Sequence, residues 1–236
     1  MFPDLTSDDI FRLETRRLWL HWPRACDAAT IAGIASLAET ARMTAAIPHP
    51  YPHGEAERFI LKSRGDNANG KALVLVMVQK GGARPTIGLV SATLSEARDI
   101  ELGYIVAPAA RGKGFATEAA KALIEAVFSL TAAERILANA RTINPASRRV
   151  LEKCGFAYLD TGFDFLAARG GLHPCDRFQL DRKAYAAACA RMPGEASGED
   201  WAGRPLSRPM RPMVHQTREA EGLAALGEAV LRRPEA

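Results

Sequence analysis

The chain has 236 residues, 47% of them hydrophobic and 25% charged, with 31 Lys and Arg against 27 Asp and Glu for a net charge of +4. This length suits one domain with something extra, and the apolar share is too rich for wholesale disorder. The mild basic excess suits an anionic ligand but does not argue nucleic-acid binding, and no stretch approaches the apolar length of a membrane span.

The predicted elements alternate along the chain. The N-terminal stretch MFPDLTSDDIFRLETRRLWL carries acids where a secretion signal needs a basic start and an apolar run, so a soluble, cytoplasmic protein is expected. Residues 13–20 (LETRRLWL) read as a strand and 27–37 as a helix. The Pro-punctuated PHPYPHGEAERFILKSR gives a loop and then a helix from about Glu55. Three strands follow, ALVLVMVQ, TIGLVSATL and DIELGYIVA, at hairpin-length spacings that predict an antiparallel meander. A helix over 117–130, a strand RILANART, a helix over 145–153 and strands from Tyr158 and ending near Asp181 complete the series. Helices mixed with an antiparallel-to-parallel sheet predict a single domain of the α/β or α+β class.

Composition shifts near residue 190, where RMPGEASGEDWAGRPLSRPMRP reads as linker. Residues 217–233 then carry the signals of a short helix with a narrow apolar stripe, which suits either docking back on the body or a homodimer or partner contact. The expected organisation is a domain over 1–183 and an extension over 184–236. From Ala184 onward seven Arg balance seven acidic residues, so the whole net charge lies on the domain.

The most informative stretch joins a strand to a helix through Arg111-Gly112-Lys113-Gly114-Phe115-Ala116-Thr117. Glycines allow a sharp turn and close backbone approach, and exposed amides at the helix start make an anion site. Arg111 and Lys113 add charge, so a phosphate-bearing ligand is expected. A Walker A loop is excluded, because Ala107 stands where its first Gly belongs and Gly114 where Ser or Thr must bind magnesium. A dinucleotide fingerprint half-matches through Gly112 and Gly114, but Thr117 replaces the third Gly and the preceding strand comes from a meander.

Further motifs lie on either side: ELGY before the loop and Asn144-x-x-Ser147-x-x-Val150-Leu151-Glu152-Lys153-x-Gly155-Phe156 after it. In this order and spacing the chain resembles the GNAT (GCN5-related) N-acetyltransferases over about residues 13–181, and specifically their ribosomal-protein N-terminal (Rim-type) branch. LETRRL and PHPYPHGEAERFI also look like this branch. The resemblance implies a mixed, mostly antiparallel twisted sheet flanked by helices, and acetyl-CoA as co-substrate with no metal. It implies that backbone amides around Gly112, Gly114, Ala116 and Thr117 hold the CoA pyrophosphate within the Arg111-x-x-Gly114-x-Ala116 motif. By the same resemblance Val106 pairs its main chain with the pantetheine arm, and Asn144 bonds that arm or caps its helix. Phe115 reads as core or cofactor wall.

Acetyl transfer to an amine needs a base, a stabilised oxyanion and a thiolate that can leave. Glu101 is the candidate base, with Asp99 its substitute, and Glu101, Gly103 and Ile105 share one strand face. Many of the family place a Tyr acid where this chain has Leu151, which leaves Ser147 as donor or water relay and solvent as the alternative. Tyr51 and Trp22 are candidate acceptor-pocket walls. Of the four cysteines, Cys26, Cys154, Cys175 and Cys189, none forms a CxxC pair, and Cys154 reads as core rather than nucleophile. His49 and His53 lack further ligand-type neighbours for zinc. The expected activity is direct acetyl transfer to a primary amine, either a protein N-terminus or a small molecule. A non-catalytic acyl-CoA-binding module is the alternative.

Overall fold

The computed structural model describes residues 11–95 and 99–190. The helix expected over 217–233 therefore lies outside the described residues. One eight-stranded sheet organises the fold: β1 (Arg12–Glu14), β2 (Leu18–His21), β3 (Ala72–Gln79), β4 (Thr86–Leu94), β5 (Ile100–Val106), β6 (Arg135–Arg141), β7 (Ala157–Leu166) and β8 (Gly171–Asp181). Their spatial order is β1-β2-β3-β4-β5-β6-β8-β7, antiparallel throughout except for the β5–β6 pair. The expected mixed, mostly antiparallel sheet is thus observed. Among the described residues no helix is long and apolar enough to cross a membrane.

Helices α1 (Ala28–Ala35), α2 (Ala38–Arg42) and α3 (Glu55–Ala68) flank one face; α4 (Phe115–Leu130) and α5 (Pro145–Lys153) flank the other. β3 reads as a continuous apolar run because both its faces are covered. Leu75 and Met77 join the larger core with Leu123 and Ile124 of α4, whereas Val76 and Val78 pack with Ile31 of α1 and Ile60 of α3. In α4 the buried residues Ala119, Ala120, Leu123, Ile124 and Val127 recur at helical spacing, which fixes the face turned to the sheet.

Two local readings change. The expected strand over 13–20 is two strands, because Thr15 closes a tight turn by accepting from Leu18 N at 2.9 Å and splits it at Arg16 and Arg17. The boundary drawn at residue 183 falls inside α6 (Arg182–Ala190). That helix is tied to the body: Tyr185 packs on Phe128 with ring centroids 5.0 Å apart. Arg182 donates to the carbonyls of Phe128, Thr131 and Ala133 at the end of α4, at 2.6, 2.6 and 2.8 Å.

Candidate active site

The site begins where two strands part. β5 and β6 pair only at Ile100–Ile136 and Glu101–Leu137, although β5 runs on to Val106 and β6 to Arg141. In an antiparallel ladder alternate residues direct both backbone groups to the same neighbour. Ser95 N bonds Asp99 O and Ala107 N bonds Ile87 O, each at 2.8 Å, so Glu101, Gly103 and Ile105 face β4. The N–H groups of Tyr104 and Val106 therefore point into the opening. Gly88 lets the strands approach closely here, since a Cβ on it would lie 2.2 Å from Ile105 O.

The glycine loop closes one end of this opening. Gly112 and Gly114 take φ of 74° and 81°, the left-handed region that a side chain strains. Gly114 is the N-cap of α4 and offers no side chain to its amides. The first intrahelical bond runs from Glu118 N to Gly114 O. The N–H groups of Phe115, Ala116 and Thr117 consequently have no carbonyl in their own helix and form an anion cradle at its positive end.

The charges around the cradle differ from the simplest expectation. Arg111 turns its guanidinium away, donating to Val106 O at 3.0 Å, Glu39 at 2.6 Å and Thr40 Oγ1 at 3.2 Å, and so braces the loop on α2. Lys113 Nζ bonds Ala109 O at 2.8 Å. The cation that lies along the loop is Arg17, which sequence reasoning passed over although it stands in LETRRL. Its Nη1 donates to Lys113 O at 2.9 Å, and its guanidinium lies 4.6 Å from the centroid of the Phe115 ring. Glu118 holds it there, accepting from Arg17 Nε at 2.6 Å, Arg17 N at 2.8 Å and Thr15 Oγ1 at 2.7 Å. Burial alone would raise the Glu118 pKa, but these hydrogen bonds outweigh it and hold the carboxyl below its ordinary value.

The N-terminus of α5 forms the other wall. Asn144 caps it, its side-chain oxygen accepting from Ser147 N at 3.1 Å. Ser147 meets a partner that spacing alone did not reveal: Tyr104 Oη lies 2.9 Å from Ser147 Oγ and 3.1 Å from Ser147 O. Burial drives the phenol pKa well up, against the opposing hydrogen bond, so Tyr104 remains a proton donor. Leu151 is buried in the core. Cys154 packs nearby with its thiol pushed up to about 11 by burial, a poor nucleophile.

Glu101 is exposed at the start of β5, on the sheet face opposite Tyr104, and its carboxylate has no hydrogen-bond or ion-pair partner among the described residues. Asp99 is committed elsewhere, in a two-pronged pair with Arg135 at 2.8 and 3.0 Å. Val106, the glycine loop, Asn144 and Ser147 thus border one opening, with Glu101 at its base. Of the two candidate pocket walls, Tyr51 stands in the loop before α3 and packs on the smaller core, as Ile105 of β5 does. Tyr51 lines a cavity of about 540 Å³ between α1 and the start of α3. Trp22 follows β2, three strands from β5, and packs on the larger core with Arg64 near its ring. Among the described residues no three His, Cys, Asp or Glu side chains are grouped to hold a metal ion.

Comparison with known proteins finds relatives in sequence and in fold. Over 64 residues the chain is 33% identical to FsC-acetyl coenzyme A-N(2)-transacetylase of Aspergillus fumigatus, spanning 27% of each protein. Solved structures share the fold at low identity. The microcin C7 self-immunity acetyltransferase MccE, solved with acetyl-CoA and AMP, is 21% identical with a TM-score of 0.62, over 71% of this chain and 93% of that one. Spermidine N-acetyltransferase of Vibrio cholerae, solved with CoA and spermine, is 21% identical with a TM-score of 0.59, over 73% and 99%. The ribosomal-protein-S5-alanine acetyltransferase of Vibrio fischeri is 22% identical with a TM-score of 0.63, over 74% and 98%. The model of the acetyltransferase (GNAT) domain matches residues 17–157, more than half of the chain. The chain belongs to the GNAT acetyltransferase family.

Proposed function

We propose that the protein transfers an acetyl group from acetyl-CoA directly to a primary amine, on a protein N-terminus or a small molecule. The observation that carries this reading is the β5–β6 opening, which sets two unpaired strand amides beside an uncapped helix N-terminus. The pyrophosphate fits the amides of Phe115, Ala116 and Thr117. The pantetheine arm adds to β5 as a short strand through Val106, and Asn144 closes over it. Phe115, 4% exposed, serves the core more than the ligand.

The remaining amide, Tyr104 N–H, suits the oxyanion that forms when the amine attacks the thioester carbonyl. Glu101 stands three strand positions from it, about 10 Å, so Glu101 draws the amine's proton through ordered water. Tyr104 and Ser147 stand on the opposite face. The phenol lies within hydrogen-bond reach of both Ser147 O and Ser147 Oγ; in the arrangement that serves transfer its one proton goes to Oγ, which leaves the serine O–H to point at the leaving sulfur. Proton removal and thiolate protonation thus occur on opposite sides of the opening. No side chain here is set up as an activated nucleophile, which favours a ternary complex over an acyl-enzyme.

The test is transfer of labelled acetyl from acetyl-CoA to a panel of amines and to lysate protein. The wild type is expected to label at least one class of amine. Glu101→Gln should lose about 100-fold in turnover while binding acetyl-CoA as before. Binding of acetyl-CoA with no amine labelled would leave the chain a non-catalytic acyl-CoA-binding module.

A further inference from the structure

On the Glu101 side of the sheet polar side chains gather beneath a roofing loop. The roof is the loop 43–54 between α2 and α3, together with the end of α2. Three bonds stretch it across to the far strands: Arg141 Nη1 to Arg42 O at 2.7 Å, Ala168 N to Ala45 O at 3.1 Å, and Arg169 Nη2 to Ile47 O. The floor is the β6–β8–β7 half of the sheet, where the register puts Arg141, His173, Arg177 and Asp164 on the face that Glu101 also occupies. Counting on from the Glu101–Leu137 pair brings Arg141 level with Ile105, between the two amides that face the opening.

This polar cluster concentrates unsatisfied atoms. Among the described residues five buried side-chain N or O atoms have no hydrogen-bond partner, and four of them belong here: Arg141 Nε, Arg169 Nε, His173 Nε2 and Asp164 Oδ2. Such atoms cost free energy unless something pairs with them, so their clustering marks a place where a ligand or water belongs. The hydrogen-bond roles can be assigned. His173 Nδ1 lies 3.3 Å from Arg141 Nη2. A guanidinium only donates, so Nδ1 accepts and the ring carries its proton on Nε2. Three of the four open atoms are therefore donors, two of them on guanidinium groups.

Neither Arg141 nor Arg169 has a carboxylate partner among the described residues; each meets backbone carbonyls of the roof. Arg177, by contrast, is neutralised by Asp164 at 2.6 Å and Asp160 at 3.7 Å. The fourth open atom, Asp164 Oδ2, is an acceptor and repels an anion at its own end. We infer that the acceptor amine carries an acidic group, a carboxylate, which Arg141, Arg169 and His173 Nε2 bind while the amine is presented to the opening. This inference rests on the proposed acetyl transfer and names the class of acceptor. A free small molecule and an acidic peptide share that chemistry.

The test compares matched acceptors on the full chain with saturating acetyl-CoA. One arm uses ω-amino carboxylates of two to six carbons beside their carboxamides and the diamines of equal length. The other uses Ala-Glu and Ala-Gln peptides with amidated C-termini. The carboxylate member of at least one matched set should be favoured about 10-fold or more in kcat/KM, mainly through KM, as one charge-assisted hydrogen bond allows; the arm that responds identifies the source. Arg141→Gln and, separately, Arg169→Gln should erase the preference, bringing kcat/KM of the carboxylate level with that of its matched amide, with acetyl-CoA affinity as the check on folding. Equal use of carboxylates, amides and diamines, or a preference surviving both substitutions, overturns the inference while leaving acetyl transfer standing. If no amine is acetylated at all, the proposed function fails first.

Discussion

Tyr104 carries more of the proposed chemistry than its place in a strand suggests. In the proposed mechanism its phenol donates to Ser147 Oγ, 2.9 Å away, and so leaves the serine's proton for the departing sulfur. Tyr104→Phe removes one hydrogen bond, worth about 1 kcal/mol, which corresponds to about a 5-fold fall in kcat. KM for acetyl-CoA should stay constant, because the phenol faces Ser147 rather than the anion cradle. Ser147→Ala should act likewise, and the double variant should add little, since the two groups form one unit. Additive losses measured in steady-state assays would separate the two residues. Ser147 could be singled out as a candidate from the resemblance carried by the α5 motif. Its partner could not, because a contact between residues 104 and 147 exists only once β5 and α5 lie side by side.

At the scale of elements, the β1–β2 turn is pinned to α4 by Glu118. Its carboxyl is held below its ordinary pKa by Thr15 and Arg17 against the effect of burial. A depressed folded-state pKa stabilises the fold above the unfolded value, and that contribution is lost as pH falls through the folded one. Denaturant melts of the wild type and Glu118→Gln should therefore differ at pH 7 and converge progressively as pH falls below about 4.3. A gap independent of pH would mean that the carboxylate charge contributes nothing. The same turn marks a limit of pattern reading. LETRRLWL alternates well enough for one strand, and only the Thr15–Leu18 bond shows the chain doubling back. The meander, by contrast, was readable end to end, because each apolar run of β3 to β5 is set off by turn residues in the sequence.

For the whole molecule, the body extends through α6, which composition alone assigned mostly to the extension. Tyr185 and Arg182 show why it belongs: one packs on Phe128 and the other satisfies three carbonyls at the end of α4. Arg182→Ala should cost about 2 kcal/mol, seen calorimetrically as a Tm lower by about 5 °C, with acetyl-CoA affinity unaltered because the cradle lies at the other end of α4. The anion loop was legible because glycines, a helix start and flanking motifs sit in one stretch of sequence. The proposed carboxylate-binding cluster was not, since Arg141, Asp164, Arg169 and His173 come together only through the β6–β8–β7 register and a loop from the first half of the chain. The central claim remains that acetyl-CoA occupies the β5–β6 opening. Amide hydrogen exchange of the full chain with and without acetyl-CoA tests it most directly. The account predicts slowed exchange at Tyr104, Val106 and the amides of Phe115, Ala116 and Thr117. Protection confined to the cavity between α1 and α3, or none at any of these amides, would contradict it.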